Sequence, residues 1–374
     1  MTETTFESLG LAAPLVAAVA RTGYTTPTPI QMQAIPHLLA GKDLLGIAQT
    51  GTGKTAAFAL PILHRLMQHK VKPVRGGCRV LVLAPTRELA TQIAESFRTY
   101  GRNTGLRATV IFGGVPKGKQ IQSVAQGIDI VVATPGRLLD LMSDHYIRLD
   151  HTEFLVLDEA DHMLDLGFLV PIRKIVAHLP VERQSLFFSA TMPKEISALA
   201  NQMLRQPERV SVAPVATTAE TVNQCVMFVP QSEKRTVLAR MLKQAQFGRT
   251  LVFARTKHGA DRIVQQLAAT GLNANAIHGN KSQGQRERAL ADFRSGQVPV
   301  LVATDIAARG IDVDSVTHVI NYDLPDVPEA YVHRIGRTAR AGKGGSAISL
   351  CDDAERGALK GIERLIRIRL PVAA

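Results

Sequence analysis

Residues 48–55 read Ala-Gln-Thr-Gly-Thr-Gly-Lys-Thr, and residues 158–161 read Asp-Glu-Ala-Asp. Together these strings supply the groups needed to hold a nucleoside triphosphate with magnesium and to hydrolyse it. The first follows an apolar run containing Leu44, Leu45 and Ile47 and opens a helical pattern, the context a phosphate-binding loop requires. Gly51 and Gly53 let backbone N–H groups turn inward around phosphate oxygens, with Thr50 and Thr52 completing the cradle, and the helix N-terminus adds its partial positive charge. Lys54 then reaches the β- and γ-phosphates, and the Thr55 hydroxyl ligates magnesium. One departure is visible: Ala48 stands where the usual pattern has glycine. Asp158 ends the apolar run Phe154–Leu157, so a strand there delivers a carboxylate to the metal. Glu159 beside it orients and deprotonates water. The competing reading is a glycine turn and a solvated acidic patch.

Elements that position such groups are legible as short apolar runs alternating with helical patterns, the signature of parallel sheets with crossover helices. In the first half the runs are 44–48, 80–84, 108–112, 128–133, 154–157 and 185–188. Each is nearly continuously apolar, as strands covered on both faces are. Helical stretches lie between them, 87–99 and 136–143 among them. Pro61 falls inside the helix after the phosphate loop and is expected to kink it. Residues 205–221, with Pro207, Pro214 and a run of Ala, Thr and Val, read as a connector. The rhythm returns with runs at 250–254, 273–277, 299–303, 316–320 and 346–350, without a second Gly-Lys-Thr. Two similar α/β halves and one phosphate loop predict a nucleotide site completed by residues of the second half.

The 374 residues suffice for two to three domains, and no apolar stretch approaches the roughly 18 residues of a membrane span. The N-terminus lacks a signal-peptide pattern. Cys78, Cys225 and Cys351 are scattered without metal-ligand spacing, and the histidines form no zinc pattern, which fits reduced cysteines in a cytoplasmic protein. Net charge is +12, with 21 basic against 16 acidic residues in 1–207 and 23 against 16 in 208–374. No basic tail accounts for the excess, so it lies on folded surfaces and suggests a polyanionic partner.

The motifs, in order, resemble those of the DEAD-box RNA helicases over nearly the whole chain, from Phe6 to about Leu370. Phe6 and the segment Gly23-Tyr24…Pro27-Thr28-Pro29-Ile30-Gln31 resemble the family's adenine-recognising element. AQTGTGKT (48–55), PTRELA (85–90), Gly113-Gly114, TPGR (134–137), DEAD (158–161) and SAT (189–191) come next. The second half adds VFARTK (252–257), HGNKSQ (278–283), TDIAARGID (304–312) and HRIGRTAR (333–340).

The resemblance implies roles. The Gln31 amide, donor and acceptor at once, pairs with the adenine edge and selects ATP, with Phe6 stacking on the base; the competing role for Phe6 is a staple packing the N-terminal segment, and both roles can hold together. Arg337 and Arg340, three residues apart and so on one side of a helical turn, match the family's arginine fingers on the γ-phosphate. They stand opposite Lys54 across a cleft and act when the halves close. Ala339 replaces the more usual glycine between them. Asp312 resembles the residue that holds the ribose hydroxyl, and His333 orients its motif. Arg87, Gly113, Gly114, Thr134 and Arg137, with Thr256, Gln283, Arg286 and Thr304 in the second half, resemble the contacts to an RNA backbone. Such groups hold phosphate and 2′-OH without reading bases. Each taken singly is equally a helix cap or a turn. Ser189 and Thr191 are expected to couple the nucleotide to the closed state through hydrogen bonds to the DEAD segment.

The expected architecture is two RecA-like, doubly wound parallel α/β domains, 1–212 and 222–370, joined by 213–221. The cofactors are ATP and Mg²⁺, and the partner is RNA, single strand or short duplex, gripped without sequence preference. The protein is expected to be a cytoplasmic monomer that opens duplexes locally by ATP-driven closure. Its compact layout, without a basic or Gly-rich tail, resembles the short bacterial members called RhlE-type. The competing functions are an ATP-gated RNA clamp or chaperone that unwinds little, and a DNA translocase, against which the DEAD spelling and adenine element argue.

Overall fold

The structure, a computed structural model, describes residues 4–49, 51–212, 222–244, 247–308, 316–339 and 344–373. The chain divides into two compact units, 1–213 and 214–374. The segment 213–221, expected as the linker, lies outside the described residues.

Unit 1 is built on a parallel sheet of β1 (Leu44–Ile47), β2 (Cys78–Leu83), β3 (Ala108–Ile111), β4 (Ile128–Ala133), β5 (Phe154–Leu157), β6 (Gln184–Ser189) and β7 (Glu208–Ser211). The spatial order is β3-β4-β2-β5-β6-β1-β7. Alternate residues of β2 enter different cores: Val80 and Val82 pack with Leu186 and Phe58 on one face, Leu81 and Leu83 with Leu155 and Phe187 on the other. Both faces are covered, which is why these strands read as unbroken apolar runs. Gly46 of β1 lies against the Phe188 ring of β6, so a Cβ there would stand 2.5 Å from the ring. Pro61 is buried within the helix Lys54–Gln68.

Unit 2 repeats the plan with β8 (Val222–Phe228), β9 (Thr250–Phe253), β10 (Ala274–Ile277), β11 (Val300–Ala303), β12 (His318–Asn321) and β13 (Gly345–Cys351). They are ordered β10-β11-β9-β12-β13-β8, all parallel. Its last helix is Arg356–Ile366, after which Pro371 and Ala373 bond across to Val226 at the β8 edge. Among the described residues no helix is long and apolar enough to cross a membrane.

Two edge strands differ from the sequence reading. Residues 208–211, expected as connector, form β7 beside β1, and β8 has no counterpart among the apolar runs. Both are edges, where one face meets water and the pattern alternates: in β7 Val210 is buried while Arg209 and Ser211 are exposed. In β8 Val222, Gln224 and Val226 point inward and Asn223 outward.

Candidate nucleotide and nucleic-acid site

In unit 1 every sequence-predicted site residue except Phe6 and Gln31 lies at or just after the C-terminal end of a strand. The phosphate loop follows β1, Arg87 follows β2, Gly113-Gly114 β3, Thr134 β4, the DEAD segment β5, and Thr191 β6, whose last residue is Ser189. Parallel sheets present their ligand sites at that edge.

Gly51 (φ +86°) and Gly53 (φ +92°) are both left-handed, and Gly53 begins the helix Lys54–Gln68. A Cβ on Gly53 would lie 2.5 Å from Gln31 Nε2, so glycine is required for two reasons at once. Ala48 has no positive φ, which explains why a residue other than glycine serves there. Lys54 is 5 % exposed, and its Nζ donates to the Ala48 carbonyl at 2.9 Å and stands 3.9 Å from Asp158 Oδ1. Thr52 Oγ1 donates to the Gln49 carbonyl at 2.8 Å, bracing the loop, and Thr55 is half-buried. Thr50 lies outside the described residues.

Asp158 is buried, and its Oδ1 has no hydrogen-bond partner. Burial pushes its carboxyl up to about 6, against the pull of the Lys54 ammonium. A buried carboxylate with an unused oxygen is a group suited to a cation. Glu159 adopts φ 56°, ψ 53°, the left-handed region that costs a non-glycine residue about 1 kcal/mol or more. Its Oε2 lies 3.3 Å from Nδ1 of His162, and both side chains are buried. Sequence reasoning misses His162 because it falls just past the DEAD string. Only the helical turn 160–165 brings it back onto Glu159.

Ser189 and Thr191 meet the last aspartate of the string. Asp161 Oδ2 accepts from both the backbone N–H and the hydroxyl of Thr191 at 2.9 Å. The Asp161 N–H donates to Ser189 Oγ at 3.2 Å, and Ser189 Oγ donates to the Thr191 carbonyl at 2.8 Å.

The adenine-element residues divide. Gln31 is 3 % exposed and already engaged, accepting from the Thr28 N–H at 2.9 Å and donating to the Gly53 carbonyl at 3.1 Å. Phe6 lies in the core with Leu11, Leu15 and Val19, so the staple reading describes its position here. The exposed ring of the same element is Tyr24, at 52 %.

Among the expected backbone contacts, Arg87 and Gly114 are neighbours: Gly114 is left-handed (φ +75°) and a Cβ there would run into the Arg87 guanidinium. Arg137 donates both Nη groups to the Val115 carbonyl at 3.0 Å and pairs with Asp140 at 3.3 Å. Thr134 is buried at the start of the helix Pro135–Ser143. In unit 2, Thr256 is exposed and caps the helix Lys257–Ala269 by accepting from the Gly259 N–H at 3.0 Å. Gln283 is buried and donates to Glu287 at 3.0 Å, Arg286 is half-buried on the same helix, and Thr304 precedes the helix Asp305–Ala308.

The arginine motif is corrected in one respect. Its helix, Pro328–Ile335, stops before Arg337, and Ala339 is left-handed (φ 54°), so residues 337–339 are not a helical turn. Ala339 thus sits where glycine is conformationally cheaper, a reason for glycine at that position that the spacing does not reveal. Arg337 is 6 % exposed, its Nε donates to the His333 carbonyl at 3.3 Å, and both residues line one small cavity with Asp305 and Arg334. Arg334, unassigned in the sequence reading, is the anchor. Its guanidinium bonds both oxygens of Asp305 at 2.5 and 2.7 Å and the Asn321 side chain at 3.1 Å, and it lies over the Phe253 ring at 4.9 Å. Asp312 and Arg340 lie outside the described residues.

Comparison with known proteins agrees with this geometry. Residues 28–199 match the DEAD/DEAH box helicase family and residues 233–342 the helicase conserved C-terminal domain. The chain is 46 % identical over 346 residues to DEAD-box ATP-dependent RNA helicase 30 of Arabidopsis thaliana, covering 92 % of this chain and 58 % of that protein. It is 46 % identical over 365 residues to DEAD-box ATP-dependent RNA helicase CshA of Streptococcus pneumoniae, covering 98 % and 69 %. The solved structure of S. cerevisiae Dbp5 bound to RNA and ADP BeF3 is similar at TM-score 0.87 and 32 % identity, over 99 % of this chain and 95 % of that one. The matches span both halves in the order of the motifs, and the chain belongs to the DEAD-box helicase family.

Proposed function

We propose that this protein is an RNA-dependent ATPase that separates short RNA duplexes or remodels RNA–protein complexes by ATP-driven closure of its two units. The observation that carries the reading is the Lys54–Asp158 pair: a buried cation at a phosphate loop facing a buried carboxylate with an unused oxygen. Asp158 and Thr55 are the residues that would hold Mg²⁺, which when bound neutralises charge on the phosphates. Glu159 holds the attacking water, and its carboxylate takes the proton. Lys54 leaves the Ala48 carbonyl or shares it to reach the β- and γ-phosphates. Gln31 couples base recognition to the loop through Gly53, and the exposed Tyr24, in place of Phe6, offers the ring for stacking.

Arg337 and Arg340, with Asp312 on the ribose, complete the site on closure. Arg87, Gly113, Gly114, Thr134 and Arg137, with Thr256, Gln283, Arg286 and Thr304, hold the RNA backbone without base readout. A monomer in a reducing cytoplasm suits the three unpaired cysteines. The bacterial relative named above is of the CshA type, which leaves an RhlE-type placement resting on layout alone. Stimulation of ATP hydrolysis by RNA and by DNA of one sequence tests the assignment: RNA should stimulate many-fold and DNA little. Equal stimulation points to a DNA translocase, and stimulation by RNA without strand separation points to a clamp. RNA and a non-hydrolysable ATP analogue should tighten one another's binding equally, because linkage is reciprocal.

A further inference from the structure

Opposite the ligand edge of the unit 1 sheet, a second cationic surface is built where two loops are joined. Residues 69–77 read His-Lys-Val-Lys-Pro-Val-Arg-Gly-Gly and contain no acid. They lead into the N-terminal end of β2 and bridge to the loop before β5: Gly77 pairs with Arg148, and the Arg148 N–H donates to the Gly76 carbonyl at 2.8 Å. Lys70, Lys72 and Arg75 have no ion pair or side-chain hydrogen bond among the described residues, and Lys70, Lys72 and Arg75 all lie on this loop. The acids of the joined segment 144–153 are each occupied. Asp144 bonds Lys117 at 2.8 Å, Asp150 bonds Arg148 Nε at 2.8 Å, and Glu153 bonds the buried Arg79 at 2.5 Å. Arg107 borders the same surface, its Nη2 donating to the Gly127 carbonyl at 3.0 Å. Two apolar side chains stand out of it, Val71 at 60 % and Tyr146 at 44 % exposure.

Uncompensated cations around exposed apolar groups are the composition of a polyanion-binding surface. Spaced ammonium and guanidinium groups with one aromatic ring suit a phosphate lattice better than a single strand, which needs successive stacking rings. The strand β2 runs from this surface to Arg87, and its six residues set the two about 20 Å apart. We infer that Lys70, Lys72 and Arg75 form a second RNA-docking surface that grips the backbone of duplex flanking the strand held at the ligand edge. This rests on the RNA helicase reading and extends it: the protein would stay tethered to structured RNA while the catalytic edge releases and rebinds its strand.

The test compares two RNAs on the full-length protein, a strand of about ten uridines and the same strand carrying a duplex of about 16 base pairs, the span over which proteins grip A-form RNA. The triple variant Lys70→Ala, Lys72→Ala, Arg75→Ala should bind the extended RNA on the order of 30-fold more weakly, with the salt slope reduced by roughly 0.9 per lost contact. Its affinity for the uridine strand and its maximal RNA-stimulated ATP hydrolysis should stay within about twofold. Lys72→Glu alone should act in the same direction. Equal losses on both RNAs, or no loss on the extended RNA, would overturn the inference; the latter would point to an acidic protein as the partner. If the uridine strand fails to stimulate the unaltered protein, the helicase reading itself falls, and this inference with it.

Discussion

Replacing Asp158 by asparagine removes a charge that its buried surroundings can scarcely accommodate. The carboxyl is 2 % exposed, its Oδ1 has no hydrogen-bond partner, and burial raises it from 3.8 to about 6. At about 1.4 kcal/mol per pH unit, ionising it in the folded protein costs about 3 kcal/mol at neutral pH. Below pH 3.8 both folded and unfolded chains hold the proton and nothing is lost; between 3.8 and 6 the unfolded chain releases it first and stability falls; above 6 the full cost stands. Asparagine escapes that cost, which is already net of the attraction of the Lys54 ammonium at 3.9 Å. The gain is therefore about 3 kcal/mol, which for a unit of this size raises its melting temperature by about 6–12 °C. Thermal scans of the full chain at pH 7.5 without ligand should show that rise in the transition that responds to ATP, shrinking to nothing by about pH 4. Mg-ATP at about a thousand times its Kd should reverse the order, since it adds about 4.1 kcal/mol to the unaltered protein and far less to the variant. A lower melting temperature for Asp158→Asn at pH 7.5, or a difference independent of pH, would refute the account of an unused, strained carboxylate.

Four further substitutions separate the roles of the neighbours. Glu159→Gln should keep ATP and RNA bound while turnover falls by about 10²–10⁴, read as steady-state rate beside nucleotide affinity; normal turnover removes Glu159 as the base. His162→Leu takes away the group 3.3 Å from Glu159 Oε2 and should lower kcat about tenfold with KM for ATP unchanged. Asparagine, whose amide can replace Nδ1, should restore part of it, whereas a purely packing role would make leucine the better substitute. Thr191→Val deletes one of two hydrogen bonds to Asp161 and should leave ATP hydrolysis within about threefold while cutting duplex separated per ATP more deeply, in parallel assays on one RNA. Arg337→Ala should reduce RNA-stimulated turnover by about 10³-fold or more and change ATP affinity far less; equal losses in both would make Arg337 a ground-state contact.

The two-unit α/β fold was legible because its central strands are buried on both faces. Val80 to Ala84 or Leu301 to Ala303 cannot be mistaken for a half-exposed strand. β7 and β8 escaped for the opposite reason, since an edge strand with one wet face carries no continuous apolar run. Within the site, motif order located the groups but not their hydrogen bonds. HRIGRTAR offers three arginines after its histidine, and nothing in the string says that Arg334 is the one turned onto Asp305 and Asn321. Phe6 shows the same limit: an aromatic residue upstream of a nucleotide loop serves a base, a core or both, and its place in the core with Leu11 and Leu15 is not legible in the string.

Strand order brings the DEAD segment and the phosphate loop, more than a hundred residues apart in sequence, to one place in unit 1. In space β6 lies between β1 and β5, so Lys54 spans its end to approach Asp158, and Ser189 occupies the gap. The Ser189 carbonyl accepts from the Ala48 N–H at 3.1 Å, tying it to the loop that holds phosphate. Its hydroxyl accepts from the Asp161 N–H at 3.2 Å and donates to the Thr191 carbonyl at 2.8 Å. One residue therefore bonds to the first residue of the phosphate loop, to the last residue of the DEAD string and to its own motif. A shift of either neighbour on binding or losing phosphate must be accommodated at Ser189, because buried polar groups do not give up partners without cost. Under the proposed function, coupling between nucleotide state and the rest of the unit would run through the adjacency of these three strand ends, which no linear reading of the motifs contains.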